Sequence, residues 1–170
     1  DVVGVIVIAK DVTEFKRAEG ILSKTANTGP LTNVPNRLFL EKTLSKLTKG
    51  ANRTTDRFAL LFCDLDGFKD VNDNFGHAVG DKVLFQVASR LNKHIRQEDI
   101  LARYGGDEFA IVITGLLDES VIDIVKKKIE HSISQPFDIS GNKIKIGISI
   151  GASLYPDEAT DKTSLLDLAD

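Results

Sequence analysis

Two hydrophobic periods alternate along this chain, and the switches between them mark its elements. The run Phe58-Ala59-Leu60-Leu61-Phe62-Cys63 is unbroken and of strand length, which predicts a central strand buried on both faces. Leu101, Ala102 and Tyr104 lead into Gly105-Gly106-Asp107-Glu108, and Phe109-Ala110-Ile111-Val112-Ile113 follows. This predicts a hairpin whose turn carries glycines able to take positive φ. Apolar positions three and four apart predict helices over 36–46, over 80–96 and over 119–133; in the second, Leu84, Val87 or Ala88, Leu91 and Ile95 share a face. Two more strands are predicted over 136–139 and 143–153, joined by Ser140-Gly141-Asn142. Helices that interrupt strands returning to one antiparallel-rich sheet predict an α+β, ferredoxin-like core.

The amino-terminal end has a different texture. Val2-Val3-Gly4-Val5-Ile6-Val7-Ile8 is one isolated strand, too little for a domain of its own. Asp11 followed three residues later by Glu14 has the form of a capping box, and Phe15, Ala18, Leu22 and Ala26 recur at helical steps behind it. The expected division is a strand remnant over 1–10, a linker helix over 11–27 and a domain over 28–170. Two heptads are too few to dimerise alone, so the helix reads equally as an amphipathic linker and as part of a short coiled coil.

Chemistry enters with the acids. Adjacent Asp107 and Glu108 at a hairpin tip repel each other, and a fold that needed only a turn has no use for both. A divalent cation removes the conflict, since magnesium takes one or two carboxylates together with substrate phosphates. The alternative at this point is a solvated acidic turn. Upstream, the predicted central strand ends in Asp64-Leu65-Asp66-Gly67-Phe68-Lys69, with carboxylates on a rigid element, a glycine beside them and a cation within reach. An Asp-x-Asp at a strand end serves equally as a metal ligand or as a helix cap.

Four separated motifs then agree in order and spacing: Leu31-Thr32-Asn33-Val34-Pro35-Asn36-Arg37, Asp64 through Asp73, Phe75-Gly76-His77-Ala78-Val79-Gly80-Asp81, and Arg96-Gln97-Glu98-Asp99 leading into Gly105-Gly106-Asp107-Glu108-Phe109. Together they resemble the GGDEF domains, most of which are diguanylate cyclases with a palm-like fold. The resemblance implies condensation of two GTP molecules into cyclic di-GMP with release of pyrophosphate, across a homodimer in which each chain holds one GTP. It implies Mg2+ or Mn2+ held by Asp64, the Leu65 carbonyl and Asp107, with Glu108 as a further ligand or as the group that helps deprotonate the attacking hydroxyl. Gly67, Phe68 and Lys69 correspond to the phosphate cradle, Gly105 and Gly106 to the signature turn, and Asn72 and Asp81 to the guanine-reading positions. A carboxylate suits the N1–H and N2–H2 edge of guanine, and a carboxamide suits O6 or N3. Without the resemblance, Asn72 reads as a turn residue and Asp81 as a helix cap. Arg96 and Asp99 match the family's product-inhibition site, where Arg96 forks onto phosphate or base and Asp99 accepts from guanine; otherwise they are a helix-terminal cation and a solvated acid. The strand and Asp-Val-Thr-Glu exit at the amino terminus resemble the end of a PAS sensor domain.

Composition narrows the field further. The 170 residues are 42% hydrophobic and 28% charged with net charge −3, enough for one full core and without the basic stripe of a nucleic-acid binder. Lys126-Lys127-Lys128 lies on a helix's polar side and reads as solvated. The single Cys63 sits inside an apolar strand, and His77, His94 and His131 lack metal-binding spacing. No run of about 18 apolar residues is present, so a soluble, cytoplasmic chain is expected.

The departures from the family pattern carry their own expectations. Gly29 stands where the opening motif usually has Asp, which weakens docking of the linker more than chemistry. Family members continue past Asp170 into a helix that brings Lys and Arg to the phosphates, so this fragment is expected to bind GTP weakly and turn over poorly. Phrases around Pro136-Phe137 and Ser153-Leu154-Tyr155-Pro156 are similar to GGDEF domains fused to an EAL phosphodiesterase. This keeps two other functions in view, a GTP-binding module that regulates a fused EAL domain and a cyclic di-GMP receptor acting through Arg96 and Asp99.

Overall fold

The computed structural model describes residues 27–50 and 57–170. The strand and linker helix expected before residue 27 lie outside the described residues. Eleven elements follow: α1 (Arg37–Gly50), β1 (Phe58–Asp64), α2 (Phe68–Phe75), α3 (His77–Asn92), β2 (Ile100–Arg103), β3 (Glu108–Ile113), α4 (Ser120–Ser134), β4 (Phe137–Ile139), β5 (Asn142–Ile144), β6 (Ser149–Tyr155) and α5 (Lys162–Ala169).

Four strands form an antiparallel sheet in the order β2-β3-β1-β6, and β4 pairs with β5 in a separate ribbon. Counting only the main-sheet strands, the first lies between the third and the last, which is the split βαβ arrangement of a ferredoxin-like, palm-like core. The apolar β1 run is buried throughout, and its alternation divides it between two cores. Ala59, Leu61 and Cys63 pack with Phe109 and Ile111 of β3 beneath α3 and α4. Phe58, Leu60 and Phe62 pack with Ala110 and Val112 against Leu40 and Leu44 of α1 and Leu165 of α5. Burial pushes the Cys63 thiol up to about 12, which fits an inert core residue.

Several boundaries differ from the sequence pattern, each for a local reason. The first helix starts at Arg37 because the Asn36 side chain caps it, its Oδ1 accepting from the Phe39 N–H at 3.1 Å. The helix expected over 80–96 begins earlier, at His77, and ends at Asn92. Just before it, residues 68–75 form a separate short helix, α2, where a turn was expected. Its apolar positions Phe68, Val71 and Phe75 have helical spacing, but Gly67, Asn72, Asn74 and Gly76 around them read as turn residues. The strand expected over 143–153 splits into β5 and β6. The chain changes partner between them: β5 pairs with β4 and β6 with β1, and Gly147 extends the β1–β6 register by exchanging both backbone hydrogen bonds with Asp66, each 3.1 Å. The last helix, α5, was not foreseen, although Asp161 caps it by accepting from the Thr163 and Ser164 N–H groups.

Candidate functional site

The hairpin and the central strand meet at one end of the sheet. Register places Asp64 directly opposite Glu108, so the last residue of β1 faces the first residue of β3. Both are even-numbered positions in strands whose other even-numbered side chains face α1 and α5, so the two carboxylates share one face. Asp64 is exposed at its strand end rather than turned into the core. Burial, then Asp107 and Asp66, push its carboxyl up, against an opposing hydrogen bond from the Leu65 backbone. Glu108 is also pushed up, by burial first, then by Asp64, Asp107 and Asp170, with Arg37 opposing. Partial desolvation and like charge act together on the pair.

The glycines serve this packing in a way that turn geometry did not anticipate. Neither Gly105 nor Gly106 takes positive φ. Gly105 leaves room for the Glu108 carboxylate, which lies against its backbone and which a Cβ there would displace. The turn is closed by the Glu108 carbonyl, which accepts from the Tyr104 N–H at 2.9 Å and the Gly105 N–H at 3.4 Å.

Beside the acids lies a cavity of about 300 Å³ lined by Phe68, Lys69, Asn72, Asp81, Gly106 and Asp107, together with His77, Leu84 and Arg103. Of the residues expected to read base and phosphate, Phe68, Lys69, Asn72, Asp81 and Gly106 lie around one space with Asp107, whereas Gly67 and Gly105 do not line it. Gly67, at φ 78°, lets the chain leave β1 and enter α2 in the single turn that sets Phe68 and Lys69 there. Asn72 is seated against α3, where a Cβ on Gly80 would strike its side-chain amide. Leu65 is buried, and its backbone lies between Asp64 and this turn.

Asp66 and Asp99 have structural duties. Asp66 accepts from the Ser149 hydroxyl at 2.9 Å besides its backbone pairing with Gly147, so it fastens the end of β1 to the chain entering β6. Asp99 accepts from the Arg96 N–H at 2.9 Å and the Thr114 N–H at 3.1 Å, closing the loop before β2. Arg96 lines a cavity of about 190 Å³ with Thr114 and Leu117, whereas Asp99 lines a different one of about 510 Å³ with Thr32 and Phe85.

Arg103 was missed by sequence reasoning. It reads as the polar end of a short strand, but it lines the nucleotide-sized cavity, and its Nε and Nη2 donate to the Gly106 carbonyl at 3.1 and 2.6 Å. Burial lowers its pKa, with Asp81 and Asp107 opposing. Arg37 is a second unforeseen cation: it donates to Glu41 at 2.7 Å and lies 4.4 Å above the Tyr104 ring.

A family model described as "Diguanylate cyclase, GGDEF domain" matches residues 26–170. The chain belongs to the GGDEF family. It is 40% identical over 158 residues to the bifunctional diguanylate cyclase/cyclic di-GMP phosphodiesterase MucR of Pseudomonas aeruginosa, an alignment covering 93% of this chain and 23% of that protein. It is 38% identical over 150 residues to the diguanylate cyclase TpbB of the same organism, covering 88% of this chain and 34% of TpbB. The chain thus spans about a third or less of these relatives' length. In structure, the GGDEF domain of TpbB superposes with TM-score 0.78 at 38% identity, covering 82% of this chain and 87% of that one. The coiled coil and GGDEF domain of DgcB from Caulobacter crescentus, solved in complex with c-di-GMP, superposes with TM-score 0.84 at 27% identity, covering 94% and 85%.

Within this GGDEF domain, no group of three or more His, Cys, Asp or Glu side chains among the described residues forms a closed metal cage. The donors fit an open site instead. Two facing carboxylates of raised pKa beside a cavity match magnesium, which keeps few protein ligands and completes its shell with water and phosphate. Among the described residues no helix is long and apolar enough to cross a membrane.

Proposed function

We propose that this GGDEF domain is a diguanylate cyclase half-site, binding one GTP and condensing it with the GTP of a second copy into cyclic di-GMP and pyrophosphate. The observation that carries the reading is the register match of Asp64 with Glu108, whose chain neighbour Asp107 lines the cavity shared by Lys69, Asn72 and Asp81. Opposed carboxylates of raised pKa are costly alone and become favourable beside a divalent ion. Asp64, the Leu65 carbonyl and Asp107 would hold Mg2+ or Mn2+, with Glu108 beside them. When bound, that ion neutralises phosphate charge and acidifies the attacking 3′-hydroxyl.

The chain's own residues do the positioning. Asp81 accepts from the N1–H and N2–H2 edge of guanine, and Asn72 donates to a ring acceptor. Lys69 and the backbone at Gly67 and Phe68 orient the phosphates. Glu108 accepts the proton of the attacking hydroxyl or fixes the ion next to it, and Gly105 gives it room to do so. Each chain holds a single nucleotide, so the second reactant arrives on a partner copy and protomer concentration sets the rate. Arg96 and Asp99 would take the product and slow the enzyme; Arg96 is exposed and Asp99 half-buried.

A second reading draws on a specific relative. The chain is 31% identical to the Escherichia coli protein named cyclic di-GMP phosphodiesterase PdeR, covering 94% of this chain and 24% of that protein. On this reading the domain binds GTP to regulate a fused phosphodiesterase, with an upstream PAS sensor. One experiment separates the two. The chain is incubated with GTP and magnesium and the nucleotides are chromatographed. Cyclic di-GMP that disappears in Asp64→Asn and Glu108→Gln supports the cyclase, whereas saturable GTP binding without product supports the regulatory module. Absence of both binding and product overturns the proposal.

A further inference from the structure

Arg103 is the one residue of the nucleotide-sized cavity whose placement is overdetermined. Its backbone N–H donates to the Pro35 carbonyl at 2.8 Å, and it stands opposite Phe109 in the β2–β3 ladder. Its side chain is clamped as well, with Nε and Nη2 converging on the Gly106 carbonyl. That clamp uses one edge of the guanidinium. Among the described residues Nη1 takes no protein acceptor, and the side chain borders the same space as Asp81. Of the acids that act on Arg103, Asp81 is the strongest and Asp107 the next. A half-withdrawn cation with a spare donor beside a carboxylate acceptor is a two-point recognition element.

We infer that Arg103 is a specificity-determining residue: its free Nη1 donates to the O6 oxygen of guanine while Asp81 accepts from the adjacent N1–H, which leaves N3 to Asn72. The inference rests on the guanine reading of the cavity given above. Guanine presents an acceptor and a donor side by side at positions 6 and 1. Adenine reverses both, offering an amino group to the guanidinium and a lone pair to the carboxylate. One fixed donor–acceptor pair therefore attracts the first base and opposes the second at two points, and buried polar groups left unmatched are what make such sites selective. The clamp on Gly106 adds preorganisation, because the donor is already aimed before the nucleotide arrives.

The test measures binding of GTP, ATP and 6-thio-GTP to the full chain by calorimetry with magnesium. 6-thio-GTP keeps N1–H and the 2-amino group but has a poorer acceptor at position 6. The parent chain should prefer GTP over both. Arg103→Met should weaken GTP about tenfold or more and leave 6-thio-GTP nearly unchanged, so that the preference between them collapses. Arg103→Lys, which keeps a cation against Asp81 but not the fork, should retain a reduced preference. It decides the matter if thermal melts show that Arg103→Met does not fold. Equal weakening of GTP and 6-thio-GTP would mean that Arg103 only holds the turn, and unchanged GTP binding would mean that it does not touch the base; either overturns the inference while the guanine reading stands. A parent chain that does not prefer GTP to ATP removes the guanine reading itself, and this inference with it.

Discussion

The two ends of the seven-residue strand β1 are built on opposite rules. At its start Phe58 stacks on Tyr155, ring centroids 4.8 Å apart and planes 8° from parallel, and the neighbouring Arg57 pairs with both Asp157 and Glu119. At its end Asp64 faces Glu108, and the cation that acts on Glu108, Arg37, is already paired with Glu41. One end has its charges matched and its rings covered. The other keeps like charges together on the same sheet, held there by the hydrogen-bonded ladder. The difference teaches that the core supplies the stability that lets the site remain in conflict until a ligand resolves it.

The sharpest way to break this comparison is at the closed end. Tyr155 is 3% exposed, and Tyr155→Ala should destabilise the chain by about 3–5 kcal/mol. The loss should be the same in magnesium and in chelator, as read from denaturant midpoints at unchanged slope. A loss that depends on magnesium would erase the distinction between the two ends. At the open end Asp64→Asn should act in two directions. Cyclic di-GMP formation should fall about a hundredfold or more, since a ligand to the ion is lost. The melting temperature in chelator should rise, because a partly buried charge and its repulsion are removed. A lower melting temperature in chelator would show that the carboxylates are not in conflict.

The same pair predicts a pH signature. Asp64 and Glu108 have folded-state pKa values raised above the ordinary carboxylate range. The metal-free fold therefore binds protons more tightly than the unfolded chain between the ordinary and raised values, and loses stability as pH rises through that window. The advantage of Asp64→Asn over the parent in chelator should be full at neutral pH. It should shrink as pH falls through the raised value, where the parent's carboxyl becomes neutral as well. Melts at stepped pH check this, and an advantage that grows on acidification would reverse the assigned sign. Saturating magnesium should flatten the profile of the parent.

How legible all this was depends on the length scale of each signal. The β1 run and the hairpin were readable because apolar strands of six or seven residues carry their own periodicity, and the sheet order follows from the way those strands alternate with helices. Helix α2 was not, since its eight residues place Phe68, Val71 and Phe75 at helical steps only across a stretch that also carries the turn signals Gly67, Asn72, Asn74 and Gly76. The break between β5 and β6 comes from a change of partner, β5 pairing with nearby β4 and β6 with distant β1, which no local window contains. In the site, the acids stood out because adjacent carboxylates at a turn have no structural excuse. Arg103 did not, because one charged residue at a strand end is ordinary until the Gly106 carbonyl and the cavity beside Asp81 are seen. The reason for Gly105 was also invisible, since it lies in the space occupied by Glu108 and not in the turn's φ.

The smallest expected effect sharpens the comparison from outside both ends. Thr32 is 4% exposed, and its hydroxyl is buried without a hydrogen-bond partner. Like Asp64 it lowers stability, but it lies outside the cavity lined by Lys69, Asn72 and Asp81, so its cost should have no return in catalysis. Thr32→Val keeps the shape and removes the orphan oxygen, which should stabilise the chain by about 1 kcal/mol, or about 2–4 °C in melting temperature. Cyclic di-GMP formation should be unchanged. Gly29→Asp approaches the same defect from the other side. A Cβ at position 29 would lie 3.6 Å from Thr32 Oγ1, in ordinary contact, and a carboxylate there offers the hydroxyl an acceptor. Both substitutions should raise the melting temperature, and combining them should give less than the sum because each repairs the same group. If Thr32→Val stabilises but also slows turnover, as Asp64→Asn does, the cost at Thr32 belongs to the site after all, and the open end must be drawn to include the segment before α1.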